Sequence, residues 1–251
     1  MSILAYHMVE PRFDWGATRV TPKQFERQIE AVMSKDLGCV TLSEYGRSAK
    51  LEERRLAITF DDGYASVYHH AFPVLRAHDI KATVFLIAGY AGQMNAWDIN
   101  IGGLRFPHLD WRQIELLAEA GWEFGSHGMS HRDLTLLTDA ELRRELELSR
   151  QIIERRSGCH NGWIAYPFGN VNARVWHAAV ECGYRSGVVM GSRPAEVPEP
   201  YARIRSGIYL FDSRRSFEHK IDGRRQWLYS RVQRVMDLCS DGSVIVKRRS
   251  W

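Results

Sequence analysis

Asp61-Asp62 and the pair His127 and His131 are the residues of this chain whose types and spacing could do chemistry together. The aspartates follow the apolar run 56–60 and precede Gly63, which reads as strand, tight turn and helix. Adjacent carboxylates repel, so one is driven toward protonation unless a cation or hydrogen-bond donors compensate. The histidines follow a second apolar stretch, 123–126, and a helical turn between them sets both imidazoles on one side, a spacing suited to one metal ion. Two imidazoles and one carboxylate make a three-ligand zinc set with an open fourth position, the catalytic pattern, and leave the other carboxylate to accept a proton. Taken alone, H-x-x-x-H is a weak signal and D-D-G fits a helix cap equally well. Their force comes from converging on one place.

Convergence requires a scaffold that presents strand ends on a common face. Short apolar runs at 3–6, 39–42, 56–60, 82–87, 123–126, 163–166, 185–189 and 203–208 alternate with helical patterns, the signature of a mainly parallel sheet with helices outside. Thr21-Pro22 with Gln24, Asp110 with Gln113 and Thr138 with Glu141 read as capped helix starts, and the helices run to about Lys35, Gly121 and Gly158. Leu142, Leu146, Ile152 and Ile153 fit one face of the last of these. About eight strand–helix units are enough to close a β/α barrel, whose strand C-termini all open on one face. The stretch from Tyr90 to His108, with its glycines and Trp97, reads as a long loop that lines a site.

The bulk composition agrees with such a domain. A chain of 251 residues, 45% hydrophobic and 25% charged, buries a large core as one unit over residues 1–251. No run is long and apolar enough to span a bilayer and no leader pattern opens the chain, so the expectation is a cytoplasmic protein, or a periplasmic or secreted one from which a signal has been removed. Cys39, Cys159, Cys182 and Cys239 have no C-x-x-C spacing and read as reduced packing residues. From Tyr201 onward twelve Lys or Arg face five Asp or Glu, a basic segment that reads as solvated surface. Zinc-finger, RNP-like and helix-turn-helix patterns are missing, so no nucleic-acid partner is expected.

Three segments together resemble one known family. Thr59-Phe60-Asp61-Asp62-Gly63, Ser126-His127-Gly128-Met129-Ser130-His131 and Tyr166-Pro167-Phe168-Gly169 are similar to the first three motifs of the NodB-homology polysaccharide deacetylases, carbohydrate esterase family 4. The resemblance covers about residues 3–189 and implies a distorted (β/α)7 TIM-like barrel. It further implies metal-dependent removal of N-acetyl groups from a polysaccharide or oligosaccharide of N-acetylglucosamine. Carried over by position, Asp61 is the general base, Asp62, His127 and His131 hold one divalent metal, most simply Zn2+, and the Phe168 main-chain N–H helps hold the oxyanion. Trp97, Trp163 and Tyr166 are the aromatic candidates for stacking on sugar rings.

The sequence departs from the family pattern in three places. Ala165 stands where most members carry an arginine that orients the base, no Asp-Trp motif follows, and no Leu-x-His occurs near the C-terminus to supply the general acid. An amide leaves as a basic amine and needs a proton as the C–N bond breaks. In the circularly permuted subgroup similar to biofilm deacetylases of poly-N-acetylglucosamine the acid strand comes first, and Ile3-Leu4-Ala5-Tyr6-His7 resembles it, with His7 as the acid, protonated while Asp61 is ionised. Two further readings are a metal-dependent hydrolase of another amide or ester, and a non-catalytic carbohydrate-binding protein that kept the metal cradle. A free base beside the ion argues against the latter.

Overall fold

The computed structural model describes residues 2–12, 17–35, 37–47, 54–96, 104–160 and 162–223. Its elements in chain order are β1 (Ser2–Tyr6), β2 (Met8–Val9), β3 (Arg19–Val20), α1 (Pro22–Met33), β4 (Gly38–Val40), α2 (Leu42–Arg47), β5 (Arg55–Phe60) and α3 (Phe72–Ala77). They continue with β6 (Thr83–Leu86), α4 (Trp111–Glu119), β7 (Glu123–Ser126), α5 (Asp139–Ser157), β8 (Trp163–Ala165), α6 (Ala173–Glu181), β9 (Ser186–Met190), β10 (Arg203–Gly207) and α7 (Arg214–Ile221). Seven parallel strands close in the order β1-β10-β9-β8-β7-β6-β5, with β5 returning to β1. This is the expected (β/α)7 barrel.

Strand periodicity of two decides which residues face which layer. On β1, Leu4 and Tyr6 join Phe25, Ile29, Phe60 and Trp122 in the core between strands and helices. The alternate residue Ile3 joins Ala57, Phe85, Trp163, Ala165 and Val188 in a separate interior cluster, floored by Leu42 of α2. A second outer core, including Leu142, Leu146, Ile164 and Tyr166, lies under α5 and α6.

The expected strand over 39–42 is shorter and is not a stave of its own. Gly38–Val40 pairs with Arg55–Ala57 on the edge of β5 whose upper half, Thr59 and Phe60, pairs with β6. The chain turns into α2 at Leu42 because the Glu44 carboxylate accepts from the Thr41 N–H at 2.9 Å while the Thr41 hydroxyl accepts from the Glu44 N–H at 3.4 Å.

Asp110 with Gln113 and Thr138 with Glu141 form the reciprocal capping boxes expected of them. Thr21 caps α1, but Gln24 does not complete its box. Its amide donates instead to the carbonyl of Leu210 at 3.1 Å, tying α1 to the segment after β10. On α5 the buried face carries Glu145 and Ser149 beside Leu142, Leu146 and Ile153, two polar residues where the apolar stripe alone led to no such expectation.

Candidate active site at the strand C-termini

Two consecutive left-handed residues end β5. Asp62 has φ 66° and Gly63 φ 70°, and the Gly63 N–H donates back to the Asp61 carbonyl at 2.8 Å. Glycine is required at the second position, because an added Cβ would meet Leu86 at 2.6 Å. The first is held by a non-glycine residue in a conformation that costs about 1–3 kcal/mol. The tight turn sends the two adjacent carboxylates to different partners, which removes their repulsion.

Asp62 turns toward the histidines. Its Oδ1 lies 3.5 Å from His127 Nε2 and 3.5 Å from His131 Nε2, and the three donor atoms lie within 4.8 Å of one another, all buried. Ligands about 2.0–2.2 Å from one ion at tetrahedral angles stand roughly 3.3–3.6 Å apart, so the Asp62 separations suit a zinc-sized cation. His127 Nδ1 bonds the Ala165 carbonyl at 2.7 Å, which places its proton there and leaves Nε2 as the lone-pair donor. Burial pushes the His127 pKa down, against the pull of Asp61, and favours the neutral ligand form. The residues fit a bound metal.

The turn joining the histidines is not helical, contrary to the sequence expectation. Residues 127–131 form an irregular loop in which Gly128 has φ 81° and His131 φ 57°. The rings meet at 4.8 Å between centroids through this folded-back loop and not through helix periodicity.

Asp61 turns the other way, toward a residue that the motif reading missed. Arg205 Nη1 and Nη2 each donate to one Asp61 carboxylate oxygen at 2.7 Å, a bidentate pair with side-chain exposures of 1% and 3%. Nη1 also donates to Thr59 Oγ1 at 3.0 Å, and that hydroxyl donates to the Leu4 carbonyl. Burial alone would raise the Asp61 pKa; the charges of Arg205, His127 and His7 overcome it and hold the group at about 2. Arg205 thus orients Asp61 from β10, while Ala165, at the motif position lacking arginine, sits on β8. The available signal was in the alternation of β10: Ile204 and Ile208 take outward positions, so Arg203 and Arg205 face the barrel interior, where a cation needs an anion.

His7, in the turn after β1, lies in the electrostatic field of Asp61, Arg205 and His127, and its Nδ1 has no hydrogen-bond partner among the described residues. Burial is the largest influence on the ring and lowers its pKa to about 4, opposed by Asp61 and reinforced by Arg205 and His127. The resting imidazole is therefore neutral at pH 7, which differs from the protonated acid expected from sequence.

Phe168 also holds a left-handed conformation, φ 60°, and its ring packs edge-on against His131 at 4.7 Å. Its main chain is thereby fixed beside the donor set. The aromatic candidates fare differently. Trp163 starts β8 at the opposite end of the barrel, 4% exposed, with its indole N–H on Ser43 Oγ and Arg203 over its ring. Tyr166, 1% exposed, points outward into the core under α5 and α6. Neither side chain is available to a sugar, because strand alternation and strand end assign both to packing. Trp97 lies outside the described residues.

A parallel barrel gathers here an Asp-His-His donor set and an arginine-clamped aspartate at its strand C-termini, the face on which β/α barrels carry their active sites. The chain belongs to the polysaccharide deacetylase family, whose sequence model matches residues 48–187. It is 29% identical over 192 residues to YxkH of Bacillus subtilis (strain 168), an alignment covering 75% of this chain and 63% of that one. It is 27% identical over 165 residues to a poly-beta-1,6-N-acetyl-D-glucosamine N-deacetylase of Staphylococcus aureus (strain MRSA252), covering 61% and 54%. The chain thus spans between half and two thirds of the length of these relatives. Its fold is similar to that of the Streptococcus pyogenes deacetylase PplD, solved with acetate, with a TM-score of 0.74 at 21% identity over 88% of this chain and 97% of that one. IcaB from Ammonifex degensii gives a TM-score of 0.72 at 23% identity over 89% and 95%.

Proposed function

We propose that the protein is a zinc-dependent N-deacetylase that releases acetate from an N-acetylglucosamine polysaccharide or oligosaccharide. The observation that carries this reading is the division of two adjacent aspartates, Asp62 to the histidines and Asp61 to Arg205. A binding site has no need of an oriented, ionised carboxylate next to a ligand set; a hydrolase does. Family membership and the similarity to a deacetylase of poly-N-acetylglucosamine support the substrate class.

Asp62, His127 and His131 would hold the ion, and a bound zinc supplies a Lewis acid that polarises the amide carbonyl and activates water. The Asp61 oxygens, fixed by Arg205, take the proton of the attacking water. The Phe168 N–H donates to the developing oxyanion. His7, whose ring is neutral at rest, passes to the departing amine nitrogen the proton that Asp61 has taken from the attacking water, so the cycle consumes no net proton and returns both residues to their starting state.

Acetate release from poly-β-1,6-N-acetylglucosamine and from chitooligosaccharides, before and after chelation and zinc addition, tests the reading. Release should vanish on chelation and return with zinc. Asp61→Asn should keep one zinc per chain and lose turnover, whereas His127→Ala should lose both. Unchanged release after chelation, or full zinc occupancy in His127→Ala, overturns the metal assignment; hydrolysis of aryl esters with none of the acetylated sugars overturns the substrate assignment.

A further inference from the structure

The loop from His127 to His131 has no helical hydrogen bonds to set the distance between its two histidines, yet it holds a left-handed residue at the second one. Something outside the loop must fix its shape. Its carbonyls are used by the β6 side: Gly128 O accepts from the Ala88 N–H at 3.1 Å and Met129 O from the Gly89 N–H at 2.9 Å. Its N–H groups are used by the α5 side. Met129 N–H and Ser130 N–H both donate to Glu145 Oε2, at 2.7 and 3.0 Å, and the Ser130 hydroxyl donates to Oε1. The Gly128 N–H donates to Ser126 Oγ, which in turn donates to Ser149 Oγ one turn further along α5.

Glu145 is 7% exposed and, among the described residues, is met by three hydrogen-bond donors and no cation. A buried carboxylate is tolerated when successive backbone N–H groups and a hydroxyl surround it, and such charge-assisted bonds are about twice as strong as neutral ones. Oε2 accepts from two backbone N–H groups and Oε1 from a hydroxyl that can itself accept, so an amide could keep these contacts with its carbonyl on the N–H pair, whereas an apolar side chain leaves the buried N–H groups without an acceptor. Gly128 belongs to the same device. With φ 81° it needs no side chain, and an added Cβ would come within 3.2 Å of Glu145 Oε2.

We infer that Glu145 is a positioning residue for the metal site, a carboxylate clamp that holds the three residues between His127 and His131 so that both Nε2 atoms meet Asp62. The inference rests on the metal reading given above. It assigns to Glu145 an effect on affinity for the ion in addition to any effect on folding. Removal of an outer partner of a metal ligand weakens binding by about 10–100-fold.

Zinc affinity of the full chain, measured by competition with a chromophoric chelator, tests this alongside the ligand-field spectrum of the cobalt-substituted protein and the melting temperature of the metal-free protein. Glu145→Leu, which removes both acceptors at similar size, should bind zinc about 10–100-fold more weakly and shift the cobalt spectrum. Glu145→Asp, which keeps both oxygens, should recover part of the affinity. Ile153→Val, on the same face of α5 but in the apolar core, controls for a loosened helix: at a comparable loss of melting temperature it should keep wild-type zinc affinity. Glu145→Leu binding within about twofold of wild type, or Ile153→Val losing as much affinity, overturns the clamp while leaving the metal site intact. A wild-type chain that binds no zinc overturns the metal reading and the clamp with it.

Discussion

The two ends of the barrel solve opposite problems. At the strand N-termini, Ile3, Ala57 and Trp163 pack on Leu42 of α2, an apolar floor. At the strand C-termini, Asp61, Asp62, His127, His131 and Arg205 are buried together, and three of the four described non-glycine residues with positive φ, Asp62, His131 and Phe168, stand there. Each such residue costs about 1–3 kcal/mol, and the buried charges are stable only as a paired set. The floor carries the stability that the rim gives up in order to aim its side chains.

That contrast is broken most forcefully by removing Arg205. Arg205→Met leaves Asp61 buried without its guanidinium and should destabilise the fold by about 3–5 kcal/mol in urea unfolding, with a large loss of kcat. Asp61→Asn added to it should restore much of the stability and none of the activity. The pH dependence has a definite sign. Asp61 titrates at about 2 in the barrel against 3.8 unfolded, so its contribution to stability is present above about pH 4 and is lost as pH falls toward 2. Without Arg205 that value rises, and the acidic limb of the rate profile moves to higher pH. A single variant as stable as wild type, or an unmoved limb, contradicts the pairing.

His7→Ala is next in size. Amide hydrolysis should slow by about 10²–10⁴ while an aryl acetate, whose phenolate leaves without a proton, is affected far less. Equal losses on both substrates would make His7 a packing residue. In the metal-free protein His7 sits at about 4 against 6.5 unfolded, so the unfolded chain binds more protons between those values and stability falls as pH drops from 6.5 to 4. His7→Asn should flatten that part of a melting-temperature profile.

At the floor, Trp163→Phe removes the indole bond to Ser43 and should lower stability by about 1 kcal/mol, with KM for long and short oligosaccharides unchanged. A length-dependent KM would return Trp163 to the substrate. An effect of similar size is expected at Phe168, where the left-handed backbone makes Phe168→Gly more stable than Phe168→Ala by about 1 kcal/mol in thermal unfolding. The reverse order would mean that the rim is not strained there.

What the sequence revealed follows the same division. The barrel was legible because period-two strands such as 56–60 and capped helices such as 139–157 are local signals. The buried Asp-His-His cluster was legible because Asp62, His127 and His131 lie in short segments whose spacing carries meaning. Arg205 was not, since the arginines in "RIRSG" belong to no motif and Arg205 meets Asp61 only through barrel closure, 144 residues away in sequence. Trp163 and Tyr166 were misplaced for a related reason: an aromatic beside a motif gives no sign of which end of the strand, or which face, it occupies. Glu145 was hidden, with Ser149, among the apolar residues of the α5 stripe.

The closure of the barrel also sets an order on how the chain becomes a working molecule. β1 pairs with β5 on one side and with β10 on the other, and Ser2 Oγ donates to the carbonyl of Ile221, 219 residues away. On a ribosome, β1 emerges before the other strands of the barrel and keeps one edge unpaired until β10 has been made. His7 and Arg205, carried by these two strands, come together only at that last step. Contacts of such separation form slowly, and an exposed strand edge in the interval is a template for pairing with another chain. Synthesis halted before residue 203 would therefore leave a chain with Asp62, His127 and His131 already made, Asp61 without its guanidinium and an open seam between β9 and β1.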